Sequence, residues 1–241
     1  MADIHEQVVT LEAAGIVYDA ARVRKPEMDL FHREFWRSRG ALREVSGGRG
    51  SIAFVNAEDQ HWALRHYRRG GFIARFSEDR YWWQGADQTR SFREWRLLTE
   101  LKRRDLPVPS PIAACYVRHR FRYSADIITA VLENTVTLTQ ALQAAALNES
   151  EWRRIGETIA RFHAQGVHHA DLNANNVLLQ RTSGSVYLLD FDRGRIRPRG
   201  AWEQRVLARL RRSLMKLRSR NSEFHFSERE WRWLMEGAGA R

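Results

Sequence analysis

The residues best suited to chemistry lie in two neighbouring stretches, HHADLNANNVLL (168–179) and VYLLDFD (186–192). The first sets His169, Asp171 and Asn176 at the spacing H-x-D-x-x-x-x-N, and the second ends an apolar run on Asp190, with Asp192 two residues on. Asp171 can accept a proton from a hydroxyl. Asn176 offers an amide carbonyl and Asp190 a carboxylate. These are hard oxygen donors that suit magnesium, whereas zinc favours His or Cys. A base beside an oxygen-ligated magnesium is the equipment of phosphoryl transfer. The asparagines Asn173, Asn175 and Asn176 compete for backbone hydrogen bonds and disfavour a helix, so the first stretch reads as a loop between strands.

Phosphoryl transfer needs a cradle for the donor's phosphates, and one lies upstream. Residues 48–55, GRGSIAFV, fit G-x-G-x-x-G-x-V through Gly48 and Gly50, with Ala53 in place of the third glycine. Hairpins also use glycine for turn geometry alone. Here the turn falls between predicted strands, as in a kinase nucleotide loop, and not before a helix as in a dinucleotide fold.

The elements that must position these residues are legible from their periods. The first forty residues read as strand pieces and then a short helix around DLFHREFWRS. ALREV, SIAFVN and HWALRHY read as three strands, and HYRRGGFIARFSEDRYWWQGADQ as an irregular insert. TRSFREWRLLTELKRR is an amphipathic helix with Phe92, Trp95, Leu98 and Leu101 on one face, and Thr89 or Ser91 as its cap. LPVPSP stops it, and the strands IAACYVR and FRYSADIITAVL follow. LTQALQAAAL and SEWRRIGETIARFHAQG are helices. Ser150 precedes the second, Trp152, Ile155, Ile159 and Phe162 form its apolar face, and Gly166 terminates it. VLLQ and SVYLLD pair around RTSG, and two further helices, from AWEQRVLARL and SEREWRWLME, complete the chain. The order predicts an α+β fold of two lobes, a β-rich N-terminal lobe over 1–130 and a mainly helical lobe over 131–241, joined near 129–135.

Composition bounds the partners. A net charge of +11, carried almost entirely by arginine since Lys25, Lys102 and Lys216 are the only lysines, points to an acidic partner. The single Cys115 excludes a disulfide framework and reads as a core residue. No stretch approaches the ~18 apolar residues of a membrane span, and the N-terminus has no signal-peptide core. A cytoplasmic protein is expected, with membrane contact at the surface only.

HADLNANN with DFD resembles the catalytic and metal motifs of the protein-kinase-like superfamily. With GGRGS, ALRHYRRGG, YWWQGADQTRSFREW, PVPSPIAA, LLDFDRGRIR and LARLRRSLMK, about residues 36–218 resemble the bacterial Kdo (3-deoxy-D-manno-octulosonic acid) kinase family. The resemblance implies a two-lobed protein-kinase-like fold and transfer of phosphate from ATP, with Mg2+, to the 4-hydroxyl of Kdo. The acceptor implied is a Kdo-lipid A precursor (Kdo-lipid IVA) in lipopolysaccharide core assembly, at the cytoplasmic face of the inner membrane. It makes Asp171 the base, Asn176 and Asp190 the magnesium ligands, and Gly48 and Gly50 the nucleotide loop. Glu94 matches the helix glutamate that pairs with the strand-three lysine of protein kinases. At that strand position ALRHY carries Arg65, so an arginine must make the phosphate contact or it is lost. Asp192 replaces the glycine of D-F-G, and no A-P-E segment follows.

Plainer readings stand beside these. His169 is expected to orient the loop and not to move protons, His168 to be a bystander, and His163 to interact with the carbonyls at its helix end. Arg68, Arg69 and Arg75, among the aromatics of the insert, are candidate acceptor-binding residues against the plainer reading of a solvated face. The basic helix over 202–218 either packs its stripe of Val206, Leu207, Leu210, Leu214 and Leu217, docks on an anionic membrane, or does both. The rival functions are a kinase of the same fold acting on a heptose or other small sugar, and a catalytically inactive binding module. A nucleic-acid binder would explain the charge but not the acidic motif. An aminoglycoside kinase would need an acidic pocket, which this basic chain opposes.

Overall fold

The computed structural model describes residues 4–44, 52–68 and 80–239. Two compact units result, Met1–Glu100 with Pro109–Val131, and Leu101–Val108 with Leu132–Arg241. The mixed α+β architecture is the expected one: an antiparallel, sheet-rich first unit and a mainly helical second.

The first unit is built on β1 (Glu6–Thr10), β2 (Ala14–Asp19), β3 (Leu42–Glu44), β4 (Ala53–Ala57), β5 (Gln60–His66), β6 (Tyr81–Trp82), β7 (Pro111–His119) and β8 (Arg122–Ala130). Their order is β1-β2-β7-β8-β5-β4-β3, with β6 also on β8. The central strands β2 and β7 are buried on both faces, hence their continuous apolar runs AGIVY and PIAACY. β4 and β5 alternate instead, burying Val55, Trp62 and Leu64. The ambiguous first forty residues add β1 and β2 to one edge. They then cover a face of the sheet with a 3-10 turn (Met28–Phe31) and α1 (Arg33–Arg37), where Trp36 meets Trp62 edge-on at 5.8 Å.

Helix α2 (Arg90–Arg103) buries Phe92, Trp95, Leu98 and Leu101, as its period requires. The expected caps do something else: Thr89 Oγ1 donates to the Ala86 carbonyl (2.7 Å), and Ser91 Oγ donates to the Cys115 carbonyl (2.8 Å), tying helix to β7. Cys115 is a core residue, and burial pushes its thiol well above its ordinary range.

In the second unit β9 (Thr135–Thr137), a strand the sequence periods did not reveal, joins β11 (Val177–Gln180) and β12 (Val186–Leu188) in a small sheet. Strands β10 (Val167–His168) and β13 (Arg195–Ile196) form a second pair. Helix α3 (Leu138–Ala144) stops short of the expected end at Leu147 and starts with a Thr137–Gln140 capping box. α4 (Glu149–Ala164) is capped by Asn148 and Glu151, not Ser150, which lies inside the first turn. Gly166 ends α4 at φ +71°, where a Cβ would stand 2.4 Å from the Arg197 carbonyl oxygen. α5 (Trp202–Arg220) buries Val206, Leu207, Leu210 and Leu214 and half-buries Leu217. α6 (Glu228–Gly237) crosses α4 at two glycines: a Cβ on Gly156 would lie 2.0 Å from the Leu234 carbonyl, and one on Gly237 2.1 Å from that of Arg153.

Candidate active site

The H-x-D loop is organised around one backbone residue, Leu189, which immediately precedes Asp190. The Leu189 amide donates to the Asn176 carbonyl (2.9 Å), and His169 Nε2 donates to the Leu189 carbonyl (2.7 Å). A carbonyl only accepts, so Nε2 carries the proton and Nδ1 is free to accept from the Asp171 amide (3.2 Å). Burial lowers the His169 pKa and keeps the ring neutral, as this arrangement requires. The imidazole therefore orients the loop and is spent as a proton carrier. Phe191 fixes the other side. It is fully buried, stacked on Phe162 of α4 at 5.7 Å and against the His169 ring at 4.7 Å. Asp190, between these anchors, adopts φ +62°. A non-glycine residue held in the left-handed region costs on the order of 1–3 kcal/mol and persists where its surroundings over-determine it.

The asparagines close the loop on itself. Asn173 Nδ2 (2.9 Å) and Asn176 Nδ2 (3.0 Å) both donate to the Asp171 carbonyl, and Asn173 Oδ1 accepts from the Asn175 amide (2.9 Å). Because the Asn176 NH2 is committed to a carbonyl, its Oδ1 is the end left to meet a cation. The donor set fits magnesium: amide and carboxylate oxygens from Asn176 and Asp190. Among the described residues no group of three or more His, Cys, Asp or Glu could hold a metal. Magnesium keeps waters and binds through one or two protein oxygens plus phosphates, so a full protein cage is not required.

Asp171 has a partner that the sequence did not disclose. Its Oδ1 accepts from Arg209 Nε (2.7 Å) and from Arg209 Nη2, both side chains being 48% exposed. One helical turn further along α5, Ser213 Oγ accepts the Ala174 amide at 3.3 Å. Residues i and i+4 share a helix face, so α5 grips the loop twice. Both donors of Arg209 converge on one oxygen and leave Asp171 Oδ2 available. The i, i+4 pairing of Arg209 and Ser213 was readable in RLRRS, but nothing in the sequence placed that face beside Asp171.

The first unit holds the other predicted pair. Arg65 Nη2 lies 2.6 Å from Glu94 Oε1, and the Tyr67 hydroxyl donates to Glu94 Oε2 at 2.5 Å, so both oxygens of this 3%-exposed carboxylate are engaged. The Arg65 guanidinium also lies over the Tyr67 ring, 4.8 Å from its centroid. Tyr67, two residues along from Arg65 and so on the same side of the extended chain, is a member of this cluster to which the sequence motifs assign no role. Arg68 is exposed just beyond β5. Gly48, Gly50, Arg69 and Arg75 lie outside the described residues. The glycines belong to the connection between β3 and β4, which pair from Leu42 opposite Val55 to Glu44 opposite Ala53.

One histidine differs from expectation. His163 is buried against Trp202 (5.2 Å, edge-on), and burial lowers its pKa to about 4, so it is a neutral packing residue and not a charge at a helix end. His168 meets the same Trp202 at 5.3 Å.

A sheet-rich unit with an arginine–glutamate pair between strand and helix, and a helical unit carrying an H-x-D-x-x-x-x-N loop before D-F-D, define a protein-kinase-like fold. The profile of the lipopolysaccharide kinase (Kdo/WaaP) family matches residues 33–237. The chain is 47% identical over 209 residues to the 3-deoxy-D-manno-octulosonic acid kinase of Xylella fastidiosa strain 9a5c, covering 86% of this chain and 83% of that protein. It is 46% identical over 209 residues to the enzyme of the same name from Xanthomonas axonopodis pv. citri strain 306. To that of Xanthomonas campestris pv. campestris strain B100 it is 47% identical over 205 residues, 85% of this chain and 81% of that one. The protein is thus a kinase that transfers phosphate to a hydroxyl group. It belongs to the lipopolysaccharide kinase (Kdo/WaaP) family.

Proposed function

We propose that this kinase transfers the γ-phosphoryl group of ATP to a hydroxyl of Kdo, the 4-hydroxyl, on a Kdo-lipid IVA acceptor at the cytoplasmic face of the inner membrane during lipopolysaccharide core assembly. The observation that carries the chemistry is the pinning of Asp171, Asn176 and Asp190 around Leu189. The substrate rests on the names of relatives that match over more than four-fifths of their length. Asp171 Oδ2 accepts the acceptor's hydroxyl proton, while Arg209 holds Oδ1 and fixes the rotamer. Asn176 Oδ1 and Asp190 would hold Mg2+, which when bound neutralises charge on the donor phosphates. Arg65, steadied by Glu94 and stacked on Tyr67, supplies the cation of the missing lysine, and Gly48 and Gly50 belong to the nucleotide loop. Arg68, Arg69 and Arg75 receive the acceptor's carboxylate and phosphates.

No helix of the described residues is long and apolar enough to cross a membrane. The acceptor is a lipid, so the enzyme works on a surface. Support comes from α5, where Arg205, Arg212, Lys216 and Arg220 share a face and make no side-chain hydrogen bond or ion pair with any described residue. Each contributes on the order of 1 kcal/mol near an anionic leaflet. The decisive experiment measures ADP formation with and without purified Kdo-lipid precursor, and with a heptose acceptor alongside. ADP that rises only with the Kdo lipid supports the reading, and ADP that rises only with the heptose, or with neither, removes it.

A further inference from the structure

The largest exposed hydrophobic side chains of the first unit include Phe121 (74% exposed), Trp82 (63%) and Leu11 (45%). They are far apart in sequence, yet the sheet brings them to one end. Leu11 sits in the turn between β1 and β2, and the Ala13 carbonyl of that turn accepts the Arg118 amide (2.7 Å) from the end of β7. Phe121 sits in the tight turn joining β7 to β8, where His119 is opposite Arg122. Trp82, in β6, is opposite Arg122, and the Trp83 amide donates to the Phe121 carbonyl (2.9 Å). The neighbouring Trp83 is packed on Tyr116 at 5.0 Å, and strand alternation leaves Trp82 on the other side, in solvent.

The same tips carry a dense positive charge. Arg118, Arg120 and Arg122 are exposed, and none forms an ion pair with a carboxylate of the described residues. The Arg122 guanidinium lies 5.3 Å from the Trp82 ring centroid, and that of Arg118 5.0 Å from that of Trp83. Glu12 is the one carboxylate in these turns. An exposed Trp, Phe and Leu ringed by arginines is poorly suited to water and well suited to a bilayer interface. The rings enter the headgroup layer, and the guanidinium groups stay with the lipid phosphates.

We propose that this end of the sheet, centred on Trp82, Phe121 and Leu11, is a docking surface that inserts shallowly into anionic phospholipid membranes. It adds an apolar component to the purely electrostatic attraction argued for α5. The choice of partner rests on the membrane-bound acceptor of the proposed function; the surface itself is independent of catalysis, since it includes no residue of the catalytic loop.

The test uses the full chain and vesicles of phosphatidylglycerol and phosphatidylethanolamine without any acceptor, so a failure of the Kdo reading leaves it interpretable. The double variant Trp82→Ser with Phe121→Ser should keep its thermal melting temperature but lose about ten-fold or more in partition onto the vesicles. High salt should weaken, but not abolish, wild-type binding. Bromine-labelled lipid should quench wild-type tryptophan fluorescence, and Trp82→Phe should lose much of that quenching while still binding. Equal partition and equal quenching in wild type and variants would overturn the proposal. So would absence of wild-type binding, or a change of mass on gel filtration that traces the patch to contact between two copies of this chain. On a water-soluble deacylated acceptor the double variant should turn over like wild type, and on the lipid in vesicles it should lose activity. A loss on both would place these residues in catalysis and count against docking.

Discussion

Asp171 and Arg209 show what an ion pair can do when it contributes little stability. Both are about half exposed, and such pairs contribute about 0–1 kcal/mol, so the interaction matters for aim. Arg209→Ala should change folding stability by less than about 1 kcal/mol while lowering kcat by roughly 10- to 100-fold, the scale of a small misplacement of a catalytic group. The KM for ATP should hold, Arg209→Lys should recover part of the rate, and added guanidinium ion should recover part for Arg209→Ala. Steady-state kinetics with these additions separates orientation from mere support. Asp171→Asn should lower turnover by roughly 10²- to 10⁴-fold with ATP binding little changed, the range for losing a general base; near wild-type turnover would remove Asp171 from the mechanism. At Arg65 the planar guanidinium both meets Glu94 and stacks on Tyr67. Arg65→Lys keeps the charge and loses the stack, so it should retain partial activity, whereas Arg65→Ala should impair both nucleotide binding and turnover. Calorimetric titration with a nonhydrolysable ATP analogue checks the binding half.

At the level of elements, the H-x-D loop is held from three sides: by Leu189 just past the end of β12, by α4 through Phe162 and Phe191, and by α5 through Arg209 and Ser213. α4 is in turn fixed by α6, and their crossing depends on Gly156 and Gly237. Alanine is the better helix former by about 1 kcal/mol. Here that gain is outweighed, because a Cβ at Gly156 would lie 2.0 Å from a backbone oxygen that cannot swing aside. Gly156→Ala should therefore destabilise by about 1–3 kcal/mol, the usual cost of overpacking. Denaturant unfolding measures it, and an unchanged or raised midpoint would mean that the helices separate freely.

For the whole molecule, buried neutral histidines couple folding to pH. His163 is pushed down from 6.5 to about 4 by burial, and His168 and His169 are lowered in the same direction. The unfolded chain takes up protons that the folded chain refuses. Stability is therefore complete above about pH 6.5 and falls as pH drops toward 4, by about 3 kcal/mol at most for His163 alone. Thermal melting followed across that window should show the slope. His163→Phe, which keeps an aromatic ring beside Trp202, should flatten it; an equally steep slope would assign the effect to other groups.

Much of this could be read without coordinates. The spacing H-x-D-x-x-x-x-N with D-F-D points to a loop carrying oxygen donors, because asparagine amides favour turns and compete with helix, and Asn176 and Asp190 bring amide and carboxylate oxygens to it. The periods of Phe92, Trp95, Leu98 and Leu101, and of Trp152, Ile155, Ile159 and Phe162, mark the buried faces of α2 and α4, since burial imposes the helical repeat. Even the Arg65–Glu94 pair followed from motif positions. Local patterns report what a residue does for its own element. They are silent on which surfaces of two elements meet, and those meetings are where the remaining features arose. Arg209 looks like any solvated arginine until α5 is laid beside Asp171. Gly156 looks like a flaw in a helix until α6 crosses it. Trp82, Phe121 and Leu11 are three scattered hydrophobes until antiparallel pairing carries their turns to one end of the sheet. Each depends on contacts between residues tens of positions apart, and only the folded chain decides those.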